Sequence, residues 1–153
     1  MKKLRKPVYL AAGYNTISLG SGRKEFHPKK PRPGIEHYIS EAGKGVISQI
    51  DNPDYIDEGV IGNFMAARFC RQGNLAGFIP DIHPSLMYKP CVRVEGACAS
   101  GGLSVMTAMK TILADVADVV LSLGVEVQNT VKAVYGADML AGAGYYNGER
   151  KNG

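Results

Sequence analysis

The sequence predicts an α/β fold, and three observations predict it. A short apolar run, Cys91 to Val94, is followed by a helical pattern from Ser100 to Leu113, and that by a continuous apolar run, Ala117 to Leu123. The last is what a strand buried on both faces looks like. Strand, helix, strand in this order describes a parallel crossover unit. With 153 residues, 45% of them hydrophobic, the chain is one domain or a piece of a larger one.

Taken in order, Pro7 to Ala12 reads as a strand ending at Gly13, and the Gly-, Ser- and Pro-rich stretch to Gly34 as a long loop. Residues 1–34 are thus a strand plus a basic Gly/Pro-rich loop, and 35–153 the main unit. Ile35, Tyr38, Ile39, Ala42, Val46, Ile47 and Ile50 recur at steps of three and four, the spacing of one helix face, and Asn52-Pro53 ends that element. Asp57 to Gly62 reads as a strand, Asn63 to Gln72 as a short helix, and Asn74 to Ile79 as apolar but ambiguous. Pro80, Pro84 and Pro90 punctuate a loop before the strand at Cys91.

The helix after Cys98 says most about architecture. Between Gly96 and Ala114 Lys110 is the only charged residue, and Leu103, Val105, Met106, Ala108, Met109, Ile112 and Leu113 cover nearly the whole circumference. A helix apolar all round is expected to be buried all round. The rest of the chain supplies roughly one sheet and one amphipathic helix, and the polar tail from Tyr145 to Gly153 adds no closing element. The expectation is half of a fold, completed by a second polypeptide or lost by truncation.

Charge and cysteine content narrow the function classes. Nine of the 18 basic residues lie in residues 1–32, opposed there only by Glu25, so the remainder carries nine basic and 13 acidic residues. The arm (Lys2, Lys3, Arg5, Lys6, Arg23, Lys24, Lys29, Lys30, Arg32) suits a solvated loop, a nucleic-acid arm or a contact to an acidic ligand such as a coenzyme A phosphate. A mildly acidic body argues against nucleic acid as the main partner. No run reaches the ~18 apolar residues of a membrane span, and Val8 to Ala12 is too short for the core of a secretory signal. Three irregularly spaced Cys fit a reducing compartment, so a cytoplasmic location is expected.

The run Val92-Arg93-Val94-Glu95-Gly96-Ala97-Cys98-Ala99-Ser100-Gly101-Gly102 passes from strand through a turn of small residues into the helix. Cys98 is therefore expected at a helix N-terminus, where unpaired N–H groups and the dipole favour a thiolate. Small neighbours admit a substrate carbonyl, which makes Cys98 a candidate nucleophile for acyl transfer. Rival readings are an inert buried cysteine, a phosphate loop and a zinc site. Gly96 to Gly101 has the glycine spacing of a phosphate loop, but Gly102-Leu103 stands where Lys-Ser/Thr is required. Cys70, Cys91 and Cys98 lack paired ligand spacing and His27, His37 and His83 are scattered, so no metal site is expected.

Glu95-Gly96-Ala97-Cys98-Ala99-Ser100-Gly101-Gly102 closely resembles the nucleophile motif of the thiolase superfamily, N-x-x-C-x-S-G. The form is that of the sterol-carrier-protein-like and archaeal acetyl-CoA acetyltransferase branch, with Glu95 where the family has Asn. Leu123-Gly124-Val125-Glu126-Val127-Gln128 resembles a second segment, Gly-Gly-Met-Glu-Ser-Met, at the expected distance. The resemblance covers about residues 7 to 140. It implies a thiolase-like αβαβα layered fold, of which this chain is about one half, with a mixed sheet and a buried central helix.

The activity implied is that of an acyl-CoA C-acyltransferase of lipid metabolism, with Cys98 acylated and its backbone N–H serving an oxyanion hole. No permanently bound cofactor is implied; a coenzyme A thioester is the substrate. A Gly-His-Pro histidine and a second Cys in Cys-x-Gly belong to the family's C-terminal half, and neither motif occurs here. The resemblance also implies a complementary C-terminal half, a homo- or hetero-oligomer with the Cys91–Val94 strand at its interface, and, in some members, a zinc-ribbon/OB-fold partner. His27 and His83 are expected in loops and Glu126 in a structural hydrogen-bonding role, and Tyr135, Met139, Tyr145 and Tyr146 are candidates for an acyl pocket. The alternatives are a half-fold that binds acyl-CoA or a partner without turnover, and a condensing activity without Cys acylation.

Overall fold

A computed structural model of the chain describes residues 4–18 and 32–149. Lys2, Lys3, Arg23, Lys24, His27, Lys29 and Lys30 of the basic arm, and the tail from Arg150 to Gly153, lie outside the described residues. At the centre are three strands, β1 (Glu58–Gly62), β2 (Cys91–Val94) and β3 (Val120–Gly124), in the order β2-β1-β3. Gly59 to Gly62 pair with Cys91 to Val94, and Glu58 to Gly62 with Val120 to Gly124.

Both ladders are parallel, which corrects the expected mixed sheet: long connections with helical turns return the chain to the same end before each new strand. All three strands therefore finish at one edge.

The two faces carry different helices. α1 (Ile35–Ile47) buries Ile35, Ile39, Gly43 and Ile47, one stripe of the expected periodicity, against Ile61, Leu121 and Leu123. It stops short of Ile50 in a turn, and Asn52 then caps the turn Pro53–Tyr55 by accepting from the Asp54 N–H at 3.0 Å. Gly43 permits close packing, since a Cβ there would stand 2.6 Å from the Ile82 side chain. The segment that sequence left ambiguous joins this core: Leu75 and Ile79 flank the turn Ala76–Phe78 and are fully buried, with Ile82 and Leu86 beside them.

α2 (Ala66–Phe69) is a single turn where a longer helix was expected. Arg71, at φ 55°, takes the chain out of helical geometry just beyond it. β3 also starts later than the apolar run suggests. The N–H groups of Asp118 and Val119 are held by the Asp57 carboxylate at 2.9 and 3.1 Å instead of by a ladder.

α3 (Ser100–Leu113) lies across the other face and, where burial all round was expected, meets the sheet along one narrow seam. Ser100, Ser104 and Ala108, four residues apart, are its buried positions. Ser122, which points opposite to Leu121 and Leu123, donates to the Ser104 hydroxyl at 3.1 Å. Small groups bring the helix onto the sheet, Leu103, Met109, Ile112 and Leu113 are half-buried at its sides, and Val105 and Met106 point away, 47% and 46% exposed. A helix buried all round is thus not what the chain builds alone, because no second layer covers α3 among the described residues. Its C-terminus closes in a Schellman arrangement, with Asp115 at φ 58° and Val116 N–H donating to Thr111 O at 3.2 Å.

Pro7 to Ala12 pairs with no strand among the described residues, contrary to expectation. Tyr9 is 80% and Leu10 89% exposed, and the outer edges of β2 and β3 stay unpaired among the described residues. The segment is tied down at its flanks, where Lys6 pairs with Asp115 and Gln49 donates to Gly13 O at 2.9 Å. After β3 come α4 (Ala133–Leu140), a turn at Ala141–Ala143 and α5 (Tyr146–Glu149). Among the described residues no helix is long and apolar enough to cross a membrane.

Candidate active site at the end of the sheet

β2 runs through Glu95 and Gly96 into the tight turn Ala97–Ala99, and α3 starts at Ser100. Cys98 is in the middle of that turn and is exposed. The residue before it carries strain: Ala97 has φ 49°, a left-handed conformation that its Cβ disfavours. Two side chains hold Ala97 there. The Glu95 carboxylate accepts from the Ala97 N–H at 2.5 Å, while the Ser100 hydroxyl donates to Ala97 O at 2.7 Å and accepts from the Gly96 N–H at 3.0 Å.

Neighbouring amides are also spoken for. Ala99 N–H donates to Gly96 O at 3.0 Å and Ser100 N–H to Ala97 O. From Gly96 to Ser100, the amide of Cys98 alone has no acceptor among the described residues. A thiol in the open beside an unpartnered N–H is an arrangement compatible with attack on a carbonyl once a base activates the sulfur.

The sheet edge supplies the surroundings. A cavity of about 480 Å³ is lined by Cys98 and by the exits of all three strands, including Phe64 after β1 and Val125 after β3. Gly62, the last residue of β1, lies against the start of α3 so closely that a Cβ would come within 2.1 Å of Ser100 O. Leu140 and Ala143 complete the wall. These replace the residues expected there: Tyr135, Tyr145 and Tyr146 are 61%, 76% and 40% exposed and line no part of this cavity, and Met139 faces a different cleft.

In the wall of the cavity, whose lining includes Asn63 and Glu126, a network of hydrogen bonds joins the three strand ends. Asn63 is 1% exposed. Its amide donates to Val125 O at 2.8 Å and to the Glu126 carboxylate at 3.2 Å, and its oxygen accepts from Ala66 N–H at 3.0 Å and from Arg93 at 3.1 Å. Glu126 also accepts from the Phe64 N–H at 2.9 Å, so its hydrogen bonds are structural. Arg93 reaches Asn63 O and Phe64 O at 3.1 and 3.0 Å. Sequence reasoning passed over Asn63 and Arg93. An Asn ahead of a short helix, and an Arg inside an apolar strand, were the available signals.

A larger cleft of about 1290 Å³ lies between residues 12–18, the start of α1 and the segment after β3. Size does not make it the reactive site. Its cysteine, Cys70, is half-buried and its thiol is pushed up, first by burial and then by Glu126 and Glu36. Burial likewise pushes up the thiol of Cys91. His83 caps the turn Pro84–Leu86 by accepting from Ser85 N–H at 3.2 Å, His37 faces Glu41 at 3.6 Å, and neither lines the Cys98 cavity. His27 lies outside the described residues. Among the described residues no three His, Cys, Asp or Glu side chains cluster as metal ligands.

No protein-family model matches the sequence. Curated relatives do. An acetyl-CoA acetyltransferase of Methanothermobacter thermautotrophicus is 37% identical over 90 residues, 58% of this chain and 23% of that protein. One of Methanocaldococcus jannaschii is 37% identical over 110 residues, 71% of this chain and 27% of the relative. The chain spans about a quarter of the length of the curated relatives it matches. This identity to two archaeal acetyl-CoA acetyltransferases supports a relationship of the chain to the thiolase superfamily.

Proposed function

We propose that this chain supplies the nucleophile half of a thiolase-type acyl-CoA C-acyltransferase. The observation that carries the reading is the exposed Cys98 thiol beside its own unpartnered amide, in a cavity where three parallel strands end. The Cys98 sulfur attacks the thioester carbonyl of an acyl-CoA. The thiol proton passes to the histidine of the complementary half, a bond forms between the sulfur and the acyl carbon, the bond to the coenzyme A sulfur breaks, and the departing thiolate takes up that proton. The negative oxygen formed in between accepts from the Cys98 N–H. Coenzyme A enters as substrate, and no permanently bound cofactor is required.

A complementary C-terminal half bringing the Gly-His-Pro histidine and the acid/base cysteine belongs to this reading, as does a cover for the outer face of α3. An oligomer with β2 at its interface, a zinc-ribbon/OB-fold partner, a place in lipid metabolism and a cytoplasmic location are proposed on the resemblance alone. Support for a second reading, a half-fold that binds acyl-CoA or a partner without turnover, comes from the half-exposed Val105 and Met106.

The test is incubation with acetyl-CoA in the presence of a chain carrying Gly-His-Pro, followed by peptide mass spectrometry. An acetyl group on Cys98, with CoA-dependent thiolysis of a 3-ketoacyl-CoA that falls by orders of magnitude in Cys98→Ser, is the expected result. An active complex without acylation would point to condensation by another route. No activity with such a chain would favour the second reading.

A further inference from the structure

The strained turn before Cys98 is held by side chains, and one of them has no other bond to make. Ala97 sits at φ 49°, a region that an alanine leaves unless something keeps it there. Ser100 holds the carbonyl side of that residue, and being 4% exposed and bonded to two backbone groups it is part of the packing between α3 and the sheet. Glu95 holds the amide side from an exposed position, with its carboxylate on the Ala97 N–H. No ion pair to Glu95 is present among the described residues.

We infer that Glu95 is a positioning residue for Cys98, acting through Ala97: its carboxylate fixes the left-handed turn that presents the thiol and leaves the Cys98 amide unpartnered. The inference rests on the reading of Cys98 as nucleophile and assigns Glu95 no contact with substrate. Its contribution is geometric, a hydrogen-bond acceptor at one amide, and its charge is incidental. A glutamine can replace it; an alanine cannot.

The full chain suffices as the test object, with iodoacetamide as the probe and labelling read on the Cys98 peptide alone. Amide exchange at position 97 is followed by NMR in the same proteins. Glu95→Ala is expected to speed exchange at Ala97 and to slow Cys98 labelling by about fivefold, the size of one hydrogen bond. Glu95→Gln is expected to stay within about twofold of the parent in both, because the amide oxygen still accepts. Adding Ala97→Gly to Glu95→Ala is expected to restore labelling to within about twofold, since glycine adopts the left-handed form without strain.

Glutamine behaving like alanine would overturn the inference in favour of a charge effect. Simple additivity of the two substitutions would overturn it by removing the link through Ala97. The two readings fail separately: a chain with the expected exchange and rescue pattern whose Cys98 never acylates keeps the clamp and loses the nucleophile.

Discussion

The two faces of the sheet are packed by opposite means. On the α1 side, Ile35, Ile39, Ile61, Ile79 and Leu86 fill the space with branched aliphatic side chains, all of them at most 4% exposed. On the α3 side, Ser100, Ser104, Ala108 and Ser122 bring main chain close to main chain, while Val105 and Met106 of the helix point outward. The first face is a core the chain completes by itself. The second is a bearing surface that sets where Cys98 stands and leaves its hydrophobic content for another layer.

Substitutions should separate the faces by size of effect. Ile61→Ala, which empties the centre of the α1 side, is expected to cost about 3 kcal/mol, read from urea unfolding. A cost under about 1 kcal/mol would mean that this side is not the core. Gly62→Ala comes next: its Cβ meets backbone at Ser100 O, which cannot rotate away. Overpacking of this kind costs about 2 kcal/mol, and the displaced turn should also change iodoacetamide labelling of Cys98.

Asp57 lies at the far end of the sheet and should matter less, and only above a certain pH. The N–H groups of Val119 and then Asp118 hold its carboxyl below the usual range. A depressed folded value gives stability that is present above the unfolded value of about 3.9 and lost as pH falls through the folded one. The stability difference between the parent and Asp57→Asn is therefore expected at pH 6 and should shrink as unfolding is repeated below pH 4. Persistence of the full difference in acid would remove the carboxylate from the explanation.

The smallest effect belongs to the outer face of α3. Met106→Ala in the chain alone is expected to change stability by no more than about 0.5 kcal/mol, as for a surface position. A loss several times larger would show that something already covers that face.

Much of this was legible in the sequence. The stripe from Ile35 to Ile47, the strand Cys91 to Val94 and the helix Ser100 to Leu113 follow from spacing, because burial on one face imposes a period and a turn of small residues marks the junction. Three features were not. Pro7 to Ala12 has the composition of a strand, yet pairing depends on where the chain is placed relative to a sheet edge, which no local pattern reports. The circumference of α3 is apolar, but which side meets the sheet is decided by the size of Ser104 and Ala108, to which hydrophobicity is blind. The wall over Cys98 comes from Leu140 and Ala143 rather than the tyrosines, since lining a cavity depends on how α4 and the turn after it are placed.

The contact between Gly62 and Ser100 joins backbone to backbone, with no side chain between. A joint of that kind works as a rigid spacer. Repacking among the isoleucines on the far side can proceed without altering the gap between the sheet end and the sulfur, so the interior is open to drift while the corner that holds Cys98 keeps its dimensions.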